Sequence, residues 1–195
     1  MNLYSCLLCG VGGQGTVLAS RIIAAAAMNR GYFARTAETI GMAQRGGCVT
    51  SHVRFGDAVP CPLIPPGGAD AMLAFEPGEA VRNLPYLKKG GLLIVCDRVV
   101  QPVTAALSGG QYDAAAMLAY LQNCVEGCRV LSVDGVVERT GSVKAVNMAL
   151  VGALAQAGVL PLTPADVDRA VSEKVRPQFL EMNRLALAYG AACVQ

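Results

Sequence analysis

A run of glycines between two apolar stretches decides most of what this chain can become. Leu3 to Cys9 reads as a short apolar strand, Gly10-Val11-Gly12-Gly13-Gln14-Gly15 follows at once, and Thr16 to about Arg30 reads as an alanine-rich helix. In a strand–GxGxxG–helix unit the first glycine, Gly10, allows a tight turn. The second, Gly12, lets backbone approach a phosphate, and the third, Gly15, allows close helix packing. The helix start adds amide donors and the positive end of the helix dipole. Three uses of such a loop stay open: a turn without ligand, a dinucleotide site, or a site for another anion. The last includes the phosphates of coenzyme A or of a cofactor held by a partner. The dinucleotide use also wants an acid at the end of the second strand, and Glu38 stands 23 residues past Gly15.

The rest of the chain continues the alternation. Tyr32 to Glu38 is expected as the second strand, followed by a glycine-rich turn from Thr39 to Gly47. Cys48 to Phe55 alternates, with Val49, Ser51, Val53 and Phe55 on one face and Thr50, His52 and Arg54 on a polar one. Pro60 to Gly68 holds four prolines and two glycines and must be a loop. Ala69 to Phe75 is expected as a strand with a helix starting near Glu76-Pro77. Gly91 to Asp97 is a fully apolar strand of the central parallel kind. Val99 to Gln111 is irregular, Ala114 to Gln122 a helix and Arg129 to Val133 the last strand. Beyond Gly141 only helices are expected: one capped by Ser142 and running to about Ala157, apolar nearly all round and therefore buried. A second starts at Thr163-Pro164-Ala165-Asp166 and ends near Arg176-Pro177, and a third spans about Gln178 to Tyr189. The fold class is α/β: a doubly wound, mostly parallel sheet with a helical C-terminal layer, in a single domain over residues 1–195.

Composition narrows the partners. The chain has 195 residues, of which 53% are apolar and only 15% charged, against about 25% charged in an ordinary soluble domain. Its longest apolar run, Ile22 to Met28, is far too short to cross a bilayer. No basic region precedes the apolar start, so no secretory signal is expected and the chain should be cytoplasmic. A net charge of +2 with no basic stripe argues against nucleic acid. The apolar surplus points instead to a partner subunit, or to a homodimer when the chain is isolated. Of the eight cysteines, Cys6 and Cys9 sit three apart in a strand and so point to opposite faces, which suits core packing rather than one metal. No ferredoxin-type cysteine run is present, so no iron–sulfur cluster is expected on this chain. The sole histidine, His52, has no visible catalytic companion.

The candidate site is a crevice at the carboxyl ends of the strands, where ligands bind in open α/β sheets. Gly10, Gly12, Gly13, Gln14 and Gly15 would form one side. Thr39, Gly41, Met42, Gln44, Arg45 and Gly46 would form another, with glycines allowing close backbone approach and Arg45 offering a fork for a carboxylate or phosphate. Glu76 could point into the same crevice, although an acid at a helix start is equally at home there. Asn147, in an otherwise apolar helix, needs a buried partner. No nucleophile elbow, Walker sequence or paired-carboxylate motif appears.

Taken together, Gly10–Gly15, the block Ala37-Glu38-Thr39-Ile40-Gly41-Met42-Ala43-Gln44-Arg45-Gly46-Gly47, Ser51-His52-Val53-Arg54, Pro62-Leu63-Ile64-Pro65 and Leu73-Ala74-Phe75-Glu76-Pro77-Gly78-Glu79-Ala80 resemble the gamma subunit or domain of 2-oxoacid:ferredoxin oxidoreductases, of the indolepyruvate branch. The resemblance covers nearly the whole chain. It implies a Rossmann-like domain that supports coenzyme A-dependent oxidative decarboxylation of an aryl-2-oxoacid, with electrons passed to ferredoxin. Thiamine diphosphate and iron–sulfur clusters would belong to a large partner subunit, and ferredoxin would be met through the complex. The Gly10–Gly15 and Thr39–Gly47 loops would face the partner's cofactor crevice, with Gln14 and Arg45 as polar contacts and no covalent catalyst on this chain. Cys48 departs from the small residue expected after Gly47. A stand-alone NAD- or FAD-binding oxidoreductase or sensor is the alternative that the glycine loop and Glu38 allow.

Overall fold

In the computed structural model, residues 2–40, 47–100 and 112–194 are described. They form a six-stranded sheet flanked by helices on both faces. In chain order the strands are β1 (Leu3–Val11), β2 (Phe33–Ile40), β3 (Cys48–Gly56), β4 (Ala69–Ala74), β5 (Leu87–Cys96) and β6 (Cys128–Leu131). The helices are α1 (Thr16–Asn29), α2 (Pro77–Asn83), α3 (Ala114–Cys124), α4 (Val133–Thr140), α5 (Val146–Ala157), α6 (Pro164–Lys174) and α7 (Leu180–Ala192). Strand order is β2-β3-β1-β4-β5-β6. β1, β4, β5 and β6 pair in parallel, whereas β3 is antiparallel to both β1 and β2.

The central strands are apolar on both sides because helices cover both faces. Cys6 and Leu8 of β1, Leu73 of β4 and Ile94 of β5 face the layer of α1, α4, α5, α6 and α7. Leu7 and Cys9, Met72 and Val95 face α2 and α3. Cys6 and Cys9 thus lie on opposite faces, as their spacing requires. α5 is buried from Val146 to Ala155. It crosses α7 so closely that a Cβ on Gly152 would strike the Leu187 carbonyl, and one on Gly190 the Ala149 carbonyl. α6 opens with the expected capping box: Asp166 N donates to Thr163 Oγ1 and Thr163 N to Asp166 Oδ2. No helix among the described residues is long and apolar enough to cross a membrane.

The structure differs from the pattern in the sequence at several points; β5, for one, starts at Leu87 rather than Gly91. β6 ends at Leu131, and Val133 starts α4, which the sequence did not announce; its first amide is held by Asp97 Oδ1 at 2.8 Å. The Ser142 cap acts on a short 3₁₀ turn, Val143–Ala145, through Lys144 N, and α5 proper starts after it. His52 lies on a buried rather than a polar face, 5% exposed. The proline-rich loop folds over it, and Ile64 N donates to its Nδ1 at 3.1 Å.

Candidate functional site

After β1 the chain turns to one face of the sheet, and after β4 to the other. The carboxyl ends of these neighbouring strands therefore form the switch point of the sheet. Phe75 N extends the pairing past β4 by donating to Cys9 O at 2.8 Å. The glycine loop is built against this edge. Gly10 is still part of β1, not a turn residue. It has no room for a Cβ, which would stand 2.7 Å from Gln14 Oε1 and 2.8 Å from Phe75 Cβ. The left-handed positions are Gly13 (φ 96°) and Gly15 (φ 86°), which caps α1. Gly12 N donates to Gly47 O at 2.8 Å, tying the loop to the start of β3. Gln14 uses both ends of its amide within the loop: Oε1 accepts from Val11 N at 2.7 Å and Nε2 donates to Phe75 O at 2.9 Å. Against Gly15 stands Asn147 of α5, 5% exposed, its Nδ2 only 2.6 Å from where a Cβ would lie.

Across the switch point lies a buried acidic group. Glu76 caps α2, accepting from Glu79 N at 2.9 Å, and is 1% exposed. Tyr112 Oη donates to the other carboxylate oxygen and accepts from Gly78 N at 3.0 Å. Burial raises the Glu76 carboxyl above the usual carboxylate range despite these donors, and burial with the Glu76 partnership raises the Tyr112 phenol. Glu79, 2% exposed, meets Arg82 Nε through Oε1 at 3.3 Å, while its Oε2 has no partner among the described residues. Partial desolvation, reinforced by Glu79, pushes the Cys48 thiol up.

The residues expected at the site therefore divide. Gly10, Gly12, Gly13, Gln14 and Gly15 stand together at the switch point, and Glu76 stands beside them with its carboxylate engaged by Tyr112 and the α2 start. Thr39 belongs to β2, exposed and paired with Thr50 of β3. Gly41, Met42, Gln44, Arg45 and Gly46 lie outside the described residues. Glu38 is not on the strand next to β1, because β3 is inserted between them; its carboxylate lies 3.4 Å from Ser20 Oγ of α1. Adjacent β1 and β2 strands are what the dinucleotide fingerprint assumes, so spacing alone misplaced this acid. Tyr112 had no signal that tied it to the site. Glu79 had one, an acid three residues after the Glu76 cap.

A mixed α/β domain with a glycine-rich turn at the switch point of its sheet is the class the fold defines, and comparison with known proteins narrows it to a family. Residues 5–193 match the pyruvate ferredoxin/flavodoxin oxidoreductase family, and the chain belongs to that family. It is 40% identical over 182 residues to the indolepyruvate oxidoreductase subunit IorB of Archaeoglobus fulgidus, covering 93% of this chain and 90% of that one. The fold is shared with the gamma subunit of a keto/oxoacid ferredoxin oxidoreductase from Geobacter sulfurreducens, at 24% identity and a TM-score of 0.69 over 98% of both chains. It is also shared with the 2-oxoglutarate:ferredoxin oxidoreductase of Magnetococcus marinus, solved with 2-oxoglutarate, coenzyme A and succinyl-CoA bound. There the TM-score is 0.72 at 20% identity, and the match covers all of this chain but 31% of that one.

Proposed function

We propose that the chain is the small subunit of an indolepyruvate, or aryl-2-oxoacid, oxidoreductase. It supports coenzyme A-dependent oxidative decarboxylation of the 2-oxoacid to an acyl-CoA, with electrons passed to ferredoxin. The observation that carries this reading is the likeness to the indolepyruvate oxidoreductase subunit across 93% of the chain.

In this reading the Gly10–Gly15 turn and the Thr39–Gly47 loop close over a crevice of a large subunit. That subunit holds thiamine diphosphate, which would supply the electron sink for decarboxylation, and the iron–sulfur clusters. This chain orders the crevice wall and guides access of coenzyme A. The apolar surplus of the composition is spent partly on the two-faced core and partly on docking, and the assembly works in the cytoplasm.

The test is co-expression with the thiamine-dependent large subunit of the same organism. Indolepyruvate-dependent ferredoxin reduction should need both chains. Full activity from the large subunit alone would overturn the reading. The alternative, a stand-alone dinucleotide-binding oxidoreductase, is separated by titrating the purified chain with NAD(H), NADP(H) and FAD, none of which is expected to bind.

A further inference from the structure

We propose that β2 is a docking edge: the large subunit adds an extended strand along it, with an apolar side chain seated beside Phe33 and an acidic one facing Arg35. β2 lies at the edge of the sheet and pairs on one side only, with β3. The direction of its backbone groups follows from the ladder between β1 and β3. Gly12 N donates to Gly47 O, and Asp57 N to Asn2 O. The odd-numbered residues of β3 therefore bond to β1 and the even-numbered ones to β2, where odd-numbered residues answer them. Ala34, Thr36 and Glu38 are left with their N–H and C=O groups turned outward, and no strand among the described residues receives them. A regular strand of eight residues without proline or bulge is a template for pairing unless something covers it.

The side chains beside this edge say what covers it. Phe33, 69% exposed, lies with Leu3, Arg35, Ala58, Val59 and Pro60 around a cavity of about 500 Å³. Arg35 stands opposite Arg54 of β3. Arg54 is turned into the proline-rich loop, where its Nη1 donates to the Cys61 and Leu63 carbonyls at 2.9 and 3.0 Å. Arg35 has no carboxylate within ion-pair distance among the described residues. Two neighbouring guanidinium groups without an acid between them favour one from outside. Alternate residues of a strand share a face, so the incoming strand needs an apolar residue and an acid two positions apart.

A second copy of this chain does not supply that pair. Two β2 strands joined antiparallel about a two-fold axis bring the same face of each to one side of the joined sheet. That face carries Phe33, Arg35, Ala37 and Thr39, so it adds another cation and no acid. Glu38 lies on the opposite face, beside Ser20 of α1. The chemistry thus fits a partner strand of different sequence. That the strand belongs to the large subunit rests on the function proposed above.

The experiment compares amide exchange across β2 in the isolated full-length chain and in its complex with the co-expressed large subunit. Thr36 and Glu38 should exchange readily in the isolated chain and at least about tenfold more slowly in the complex. Thr36→Pro removes an outward N–H and no bond of the sheet, so the chain should fold, while its affinity for the large subunit should fall at least about tenfold. Ala37→Pro, whose N–H is bound to β3, should instead destabilise the chain itself. Arg35→Glu should weaken the complex by about tenfold. Unchanged exchange in the complex, or wild-type affinity in Arg35→Glu or in folded Thr36→Pro, would overturn the docking edge and leave the proposed function standing. Slow exchange already present in the concentrated isolated chain would give the edge to a second copy and overturn it as well. Failure of the wild-type chain to bind the large subunit at all would overturn both.

Discussion

Gln14 and Phe75 join the two strand ends at the switch point through a side chain as well as through the sheet: Gln14 Nε2 donates to the Phe75 carbonyl at 2.9 Å while Oε1 accepts from Val11 N. The spacing of the glycine loop is thereby set from inside the chain. Replacing Gln14 by Ala leaves a donor and an acceptor without partners and is expected to cost about 1–3 kcal/mol. Gln14→Glu keeps the acceptor for Val11 N but sets a carboxylate against the Phe75 carbonyl, so it should not restore stability. Urea unfolding of the three proteins checks this, and wild-type stability in Gln14→Ala would show that the brace is dispensable.

Gly190 of α7 lies against the Ala149 carbonyl of α5. A methyl group there can be accommodated only by separating two backbones, unlike a clash with a movable side-chain tip. Gly190→Ala is expected to lose about 1–3 kcal/mol or more from overpacking, outweighing the helix propensity gained. Thermal unfolding should show the lower midpoint, and an unchanged midpoint would refute the close crossing.

Tyr112→Phe removes a donor from the buried Glu76 carboxylate. The folded Glu76 is already raised above its unfolded value by burial. A carboxyl raised on folding favours the native state while it is protonated in both states. That advantage is lost as pH rises from the unfolded carboxylate range through the folded value. Removing Tyr112 Oη should raise Glu76 further, so the variant should be close to wild type in acid and progressively less stable toward neutral pH. A stability difference that does not vary with pH would contradict this.

His52 works in the opposite sense. Burial, assisted by the nearby Arg54, lowers it below its ordinary value, and its Nδ1 must stay unprotonated to accept from Ile64 N. The native state therefore loses stability as pH falls through the unfolded histidine value of 6.5 toward the lower folded one. Exchange of the Ile64 amide should accelerate over the same range. His52→Gln should flatten that part of the pH profile, and a profile identical to wild type would remove His52 as its cause.

Much of this architecture can be read from the residues. The apolar run Leu92 to Cys96 of β5, the alternation along β3 and the Thr163–Asp166 capping box each carry a local signal strong enough to survive packing. What could not be read is pairing. Nothing near Glu38 says that β3 will slide between β1 and β2, because antiparallel insertion is decided by partners distant in sequence. The same holds for Tyr112, which reaches Glu76 across 36 positions, and for His52, whose polar surroundings in sequence conceal a loop that buries it. Asn147 was legible as a buried amide in need of a partner, but not as a neighbour of Gly15.

The antiparallel β3 has a consequence for how such a domain can diversify. Because β3 returns beside β2, residues 41–46 bridge two strands that pair with each other, not a strand and a helix. The two strands are clamped in register from Phe33 against Gly56 to Ile40 against Val49, whatever the length of the chain that joins them. A change in the residues that join them is thus absorbed at the edge of the sheet, without refolding the helical layers behind it.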